Sequence, residues 1–294
     1  MSAKTILFGI KKGGAGKTTI ATNQAVLFSQ KGKTLLIDLD PQGNSSLYFG
    51  FDPNGVKSIS KLIDAKENKL NLLKDYVLNL SSKGLENLDI LASNADLNTQ
   101  IVLNQKDTYN KIFNTIAEIA NSDIYDYVLI DTNPAWNPLI AKLISGVDVF
   151  VIPFLAEAGC EYATKTLFNT MPEILRTNEE LSIIIVPNRF SYKKRKGIII
   201  ETVDKQLLDR IIENSKKFKQ IKVSTPLKSS AQYQNAFNGF LLPLTAICTL
   251  KQKLSDEEFK QRFEYSKNDS VIRAFNPIYK NQKVVFEEIL EEMK

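Results

Sequence analysis

Histidine is absent from the sequence, and cysteine occurs only at Cys160 and Cys248. Without imidazole there is no Ser-His-Asp or Cys-His nucleophile system, no histidine proton shuttle and no histidine-ligated zinc. Two cysteines far apart in sequence supply neither a disulfide framework nor a four-thiolate metal site, and their scarcity fits a reducing, cytosolic setting. Long apolar runs are missing too. FLLPLTAIC, from Phe240 to Cys248, contains Pro243 and falls far short of the roughly 20 residues that a spanning helix needs. Lys4, Lys11 and Lys12 interrupt the N-terminal stretch, which therefore does not read as a signal peptide. An integral membrane protein is not expected.

What is present is a globular composition: 294 residues, 43% apolar and 24% charged, enough for a large α/β domain with appendages. The net charge of +5 is unevenly spread. Between Pro187 and Ser230 stand 12 Lys or Arg against 4 acids, so this segment carries +8 and the remainder −3. Such a concentration makes either an electrostatic footprint for a polyanion or a solvated helical surface.

Short apolar runs recur at 5–10, 34–38, 88–92, 127–131, 149–153 and 182–187. Runs of this kind suit strands buried on both faces, and longer amphipathic segments alternate with them. The pattern predicts helices at 17–30, 107–120, 138–145, 160–176, 199–215, 229–237 and 281–293. The expected fold is α/β, a doubly wound and mostly parallel sheet flanked by helices. Residues 50–86, rich in Asn, Lys and Ser, give the weakest pattern, and the sheet pattern has ended by 240–280. The closing helix NQKVVFEEILEEMK has an acidic face, which argues against docking on anionic lipid.

After the first strand comes Lys11-Lys12-Gly13-Gly14-Ala15-Gly16-Lys17-Thr18-Thr19, then a helical pattern. Strand, glycine-rich turn and helix start form a phosphate cradle: glycines let N–H groups crowd around oxygens, and the helix N-terminus adds positive partial charge. Lys17 is placed to neutralise β/γ-phosphates and Thr18 to offer a hydroxyl to Mg2+. The loop fits K-G-G-x-G-K-[ST], with Lys12 as a second cation five residues before Lys17. In LLIDLD, Asp38 and Asp40 alternate at the C-terminal end of a strand, the edge where open α/β sheets bind ligands. One carboxylate can hold a metal-bound water while the other orients an attacking water. Asp131 ends a second buried strand, YVLID, where a carboxylate without partners is costly.

The loop, LLIDLDPQGN at 35–44 and YDYVLIDTNP at 125–134 resemble the deviant Walker A, Walker A′ and Walker B segments of the ParA/MinD superfamily. The DPQGN string is most similar to ParA-type DNA-partition ATPases. The resemblance runs from about residue 4 to 245. It implies a P-loop NTPase domain over 1–245, with 246–294 as a helical extension packed on it. Asn133 stands where the family usually has proline. The family assigns water orientation to Asp40, a place near the metal shell to Asp38, and a magnesium-bound water to Asp131. It also implies that Lys12 crosses a nucleotide-sandwiched homodimer to the partner's phosphates. VPNRF at 186–190 is similar to the segment that contacts adenine in relatives, which puts Pro187, Asn188 and Arg189 in the base pocket. Nonspecific DNA is expected at Lys193, Lys194, Arg195, Lys196, Lys222 and Lys228.

The function so implied is a slow, partner-stimulated Mg2+-dependent ATPase that dimerises on ATP and binds DNA in that state. It would drive plasmid or chromosome partition with a ParB-like centromere-binding partner, in the cytoplasm and on the nucleoid. No DNA-binding domain is expected ahead of the loop. The same chemistry could position a protein cargo such as a carboxysome or chemoreceptor cluster. A MinD-like membrane regulator would need a basic amphipathic terminus, the opposite of EEILEEMK.

Overall fold

The computed structural model describes residues 2–134, 138–155, 160–190, 194–195, 198–199, 203–263 and 269–293. The first half runs β1 (Lys4–Phe8), α1 (Lys17–Phe28), β2 (Thr34–Asp38), α2 (Asn44–Tyr48), α3 (Ile59–Ile63), α4 (Lys69–Tyr76), β3 (Val77–Asn79), β4 (Leu88–Leu91), α5 (Ala95–Ala120) and β5 (Tyr127–Asp131). It continues with α6 (Pro138–Ile144), β6 (Val149–Leu155), α7 (Cys160–Thr177), β7 (Ser182–Phe190), β8 (Lys194–Arg195) and β9 (Ile198–Ile199). The last part holds α8 (Val203–Ser215), β10 (Ile221–Val223), β11 (Leu227–Lys228), α9 (Gln232–Phe240), α10 (Leu244–Lys253), α11 (Asp256–Phe263) and α12 (Asp269–Glu291).

Among the described residues the main sheet has the order β10-β7-β6-β1-β5-β2-β4-β3, with β11 continuing beside β7. Its pairings are parallel except β3 with β4. Every apolar run singled out in the sequence lies in this sheet. Because side chains alternate across a strand, neighbouring residues go to opposite faces. Leu7, Ile37, Ile130, Phe150 and Ile183 enter the core beneath α3 and α5–α8, while Ile6, Phe8, Leu36, Leu129 and Val151 enter the core beneath α1, α9, α10 and α12. Apolar residues on both faces account for the near-continuous hydrophobic runs.

Helix α1 is covered nearly all round, including Thr22, Asn23 and Gln24. It has no polar face because the sheet lies beneath it and α10 and α12 pack against it. Asn23 accepts from the Thr245 amide, and its own carbonyl accepts from the Thr245 hydroxyl, both at 3.0 Å. Leu244, Ile247, Phe275, Val285, Phe286 and Ile289 are buried there, each worth about 1.5–3 kcal/mol relative to exposure. The boundary expected after residue 245 thus falls inside α10, and the segment beyond it supplies much of one helical layer. No described helix is long and apolar enough to cross a membrane.

Two helices begin 12 residues before their expected starts at 107 and 281. α5 begins at Ala95 and carries a non-helical residue, Asn104, that divides it. α12 begins at Asp269 and runs through Pro277.

Candidate functional site

β1 delivers the chain to Gly9, where a Cβ would lie 3.0 Å from the Phe150 ring. The loop then turns through Gly14 and Gly16, whose φ values of +71° and +95° favour glycine. Gly16 caps α1 without a side-chain hydrogen bond, and no acidic residue stands in the first turn. The helix start therefore keeps its N–H groups and partial positive charge for an anion. Lys17 is buried and turns inward, donating from Nζ to the Lys12 carbonyl at 3.3 Å. Burial lowers its pKa, opposed by Asp131 and Asp40. Lys12 and Gly13 are exposed.

The carboxylates gather beside this loop. Asp38 and Asp131 are register partners on β2 and β5, and Asp131 also partners Phe8, the last residue of β1. Both are fully buried. Asp38 accepts from the Asp40 amide at 2.9 Å and the Ser45 amide at 3.0 Å; it holds the turn that carries Asp40. Burial, aided by the Asp131 charge, raises the Asp38 pKa well above the carboxylate range. Burial also pushes Asp131 up to about 6, against the pull of the Thr18 and Ser45 hydroxyls and Lys17.

The Ser45 hydroxyl donates to Asp131 Oδ2 at 2.9 Å, whereas Oδ1 is buried without a hydrogen bond of ordinary length. That open oxygen, on a carboxylate whose charge the Thr18 hydroxyl also favours, is the feature a metal-bound water would satisfy. Among the described residues no cluster of three carboxylate or thiolate groups could close around an ion. One open carboxylate oxygen and a threonine hydroxyl are oxygen donors of the kind Mg2+ takes, since it keeps several waters and uses few protein ligands. Asp40 accepts from the Gln42 amide at 3.0 Å and is less buried than Asp38. Gly43 completes the turn with φ +65°, and a Cβ there would lie 2.4 Å from Pro53.

A cleft opens beside the loop, lined by Gly16, Thr19, Tyr48, Asn188, Arg189 and Lys228 among others. Asn188 is a brace as well as a lining residue: its Nδ2 donates to the Ala15 carbonyl at 2.8 Å. Arg189 is exposed and has φ +58°. Pro187 is buried within β7, opposite Phe154, and does not line the cleft.

The basic residues expected to meet DNA do not share one setting. Lys193 and Lys196 lie outside the described residues, and Lys194 and Arg195 are described only as the strand β8, paired with β9. Lys222 donates to Glu292, the residue that follows α12. Lys228 lies on the cleft wall. Trp136 lies outside the described residues, and Cys160 opens α7. Cys248 is a buried thiol pushed up to about 12 by burial, which keeps it unreactive.

Ser45, Tyr48, Tyr233 and Gln282 also reach the site. A polar residue on a helix carries no local mark of such a role; of these only Ser45, seven residues after Asp38, adjoins a sequence motif.

The chain matches the AAA domain family model over residues 3–183. It is 30% identical over 266 residues to a ParA family protein of Mycoplasma pneumoniae, covering 86% of this chain and 93% of that one. Among solved structures, apo McdA from Cyanothece aligns with TM-score 0.66 at 22% identity, over 99% of this chain and 100% of that chain. A plasmid partition protein from Borrelia burgdorferi aligns with TM-score 0.59 at 22% identity, over 86% and 100%.

Proposed function

The chain belongs to the ParA-type ATPases of the ParA/MinD superfamily, and from that premise we propose that it is an ATP-switched DNA-partition protein. In this reading ATP and Mg2+ bind at the loop, two copies close on the nucleotide, and the dimer binds DNA without sequence preference. A ParB-like centromere-binding protein stimulates slow hydrolysis and release, in the cytoplasm and on the nucleoid. The cargo is a plasmid or chromosome.

The observation that carries this reading is the contrast between the two loop lysines. Lys17 is buried and folded into its own loop, while Lys12, five residues earlier, is exposed at the lip. An inward cation suits the chain's own phosphates, and an outward one suits a nucleotide held by a facing copy. Thr18 would hold Mg2+ directly and Asp131 through a water; the ion supplies charge neutralisation on the β/γ-phosphates. Asp40, half-buried at the start of its turn, orients the attacking water. ATP then shifts the population toward the DNA-binding dimer through contacts that only the γ-phosphate makes.

The test is DNA binding measured with ADP, ATP and a non-hydrolysable ATP analogue, with mass measured in parallel. Dimer and DNA affinity should appear with ATP and persist with the analogue. A protein that stays monomeric when saturated with Mg2+ and the analogue overturns the reading.

A further inference from the structure

Behind the cleft wall runs a chain of buried polar groups that the switch does not use. Gln24 of α1 and Gln282 of α12 are both fully buried. Gln24 Nε2 donates to the Gln282 main-chain carbonyl at 3.2 Å and to its side-chain Oε1 at 2.7 Å. Gln282 Nε2 donates to the Tyr233 hydroxyl at 2.7 Å. The first link sets the direction of the others. A main-chain carbonyl can only accept, so the Gln24 atom facing it is the amide nitrogen. That nitrogen requires Oε1 opposite it on Gln282, which leaves Gln282 Nε2 for the tyrosine. Gln24 Oε1, at the far end, is left buried without a partner.

The Tyr233 oxygen thus receives a hydrogen bond from the protein and keeps its own proton for something else. Burial pushes its pKa up to about 12, so the proton is held at physiological pH. Tyr233 and Gln282 line the same cleft as Gly16, Thr19 and Ile20 at the start of α1. Tyr48 also lines it, stacked on Phe237 with centroids 5.0 Å apart and within 3.1 Å of the Thr19 hydroxyl. Cations and helix N–H groups serve phosphates; a neutral phenol beside aromatic rings suits a sugar or base.

We propose that Tyr233 donates a hydrogen bond to the nucleoside part of the bound nucleotide, and that Gln282, held by Gln24, is the positioning residue that aims it. This rests on the nucleotide reading of the loop, and it makes α12 part of the nucleotide site.

The test compares ATP with inorganic tripolyphosphate, which lacks the nucleoside, by calorimetry on the full chain. Tyr233→Phe should weaken ATP about tenfold, the scale of one lost hydrogen bond, and leave tripolyphosphate unchanged. Gln282→Glu turns the donor into an acceptor that draws the Tyr233 proton away from the cleft, and should reproduce the same selective loss. Its melting temperature is recorded alongside; should that variant misfold, Tyr233→Phe decides alone. Unchanged ATP affinity in Tyr233→Phe, or equal loss of both probes, overturns the proposal while leaving the loop assignment standing. If the unaltered protein binds neither probe, the loop assignment itself fails and this proposal with it.

Discussion

Asn188, at the end of β7, donates from Nδ2 to the Ala15 carbonyl 2.8 Å away and 173 residues earlier in the chain. The same nitrogen stands 2.3 Å from the point where a Cβ on Gly16 would project. Brace and glycine are one device, since the amide reaches the loop only because residue 16 has no side chain. The φ of +95° at Gly16 adds a second reason for glycine. Gly16→Ala should therefore displace Asn188, distort the loop and abolish nucleotide binding in calorimetry. Asn188→Ala removes a single neutral hydrogen bond and should weaken ATP about tenfold. Full ATP affinity in Gly16→Ala would show that the loop does not depend on this contact.

A pH effect follows from the paired strand-end carboxylates. Asp131 rises from 3.8 to about 6 through burial. Between about pH 4 and 6 the folded protein then holds a proton that the unfolded chain has lost. Stability from this group falls as pH rises through that window, and the loss is complete above the folded value. Asp131→Asn removes the buried charge, so the nucleotide-free variant should be more stable than the parent at pH 7, by on the order of 3 kcal/mol. The gap should close near pH 4, with ATP hydrolysis abolished. Urea denaturation across this range checks it; a gap independent of pH would assign the effect to packing.

The legible part of the site is the part built from neighbours in sequence. The loop needs glycines, a lysine and a threonine within a few residues, and β2 and β5 each end in the carboxylate they present, so the strings themselves carry the chemistry. Asn188 was legible as a site residue, but its role as a brace depends on β7 lying close enough to reach the loop. Tyr233 and Gln282 were not legible because helix packing brings them together across 49 residues. In the fold, the apolar strands were plain, whereas the start of α5 was hidden by the break at Asn104, and the start of α12 by Pro277. The three-residue β10, with one exposed position, has too few apolar residues to declare itself.

Lys12 and Lys17 should separate under substitution. Lys17→Ala removes the buried cation and should abolish ATP binding. Lys12→Ala removes an exposed one and should leave ATP affinity nearly intact. It should lower turnover by about 10³-fold, the scale of a cation supplied in trans, and remove the ATP-dependent increase in mass seen by light scattering. Equal loss of ATP binding in both variants would place Lys12 on its own chain's phosphates.

Lys222 is held by Glu292, a residue 11% exposed just past the end of α12, while the lysine itself is 62% exposed. Glu288, one turn earlier, accepts from the Thr225 amide and hydroxyl, so the acidic face of α12 clamps the strip between β10 and β11. A lysine in such a pair can meet a DNA phosphate only by giving up or sharing its carboxylate. With the lysine largely in solvent, the pair's own value is small, about 0–1 kcal/mol, so release is affordable. Glu292→Gln should accordingly raise ATP-state DNA affinity a few-fold, and Lys222→Ala should lower it. If the lysine contacts one phosphate, Lys222→Ala should also make the slope of log affinity against log salt shallower by about 0.9. Fluorescence anisotropy with a short duplex at several salt concentrations measures both quantities. An unchanged salt slope in Lys222→Ala would take Lys222 out of the DNA interface and leave the Glu292 pair as a tie between α12 and the sheet.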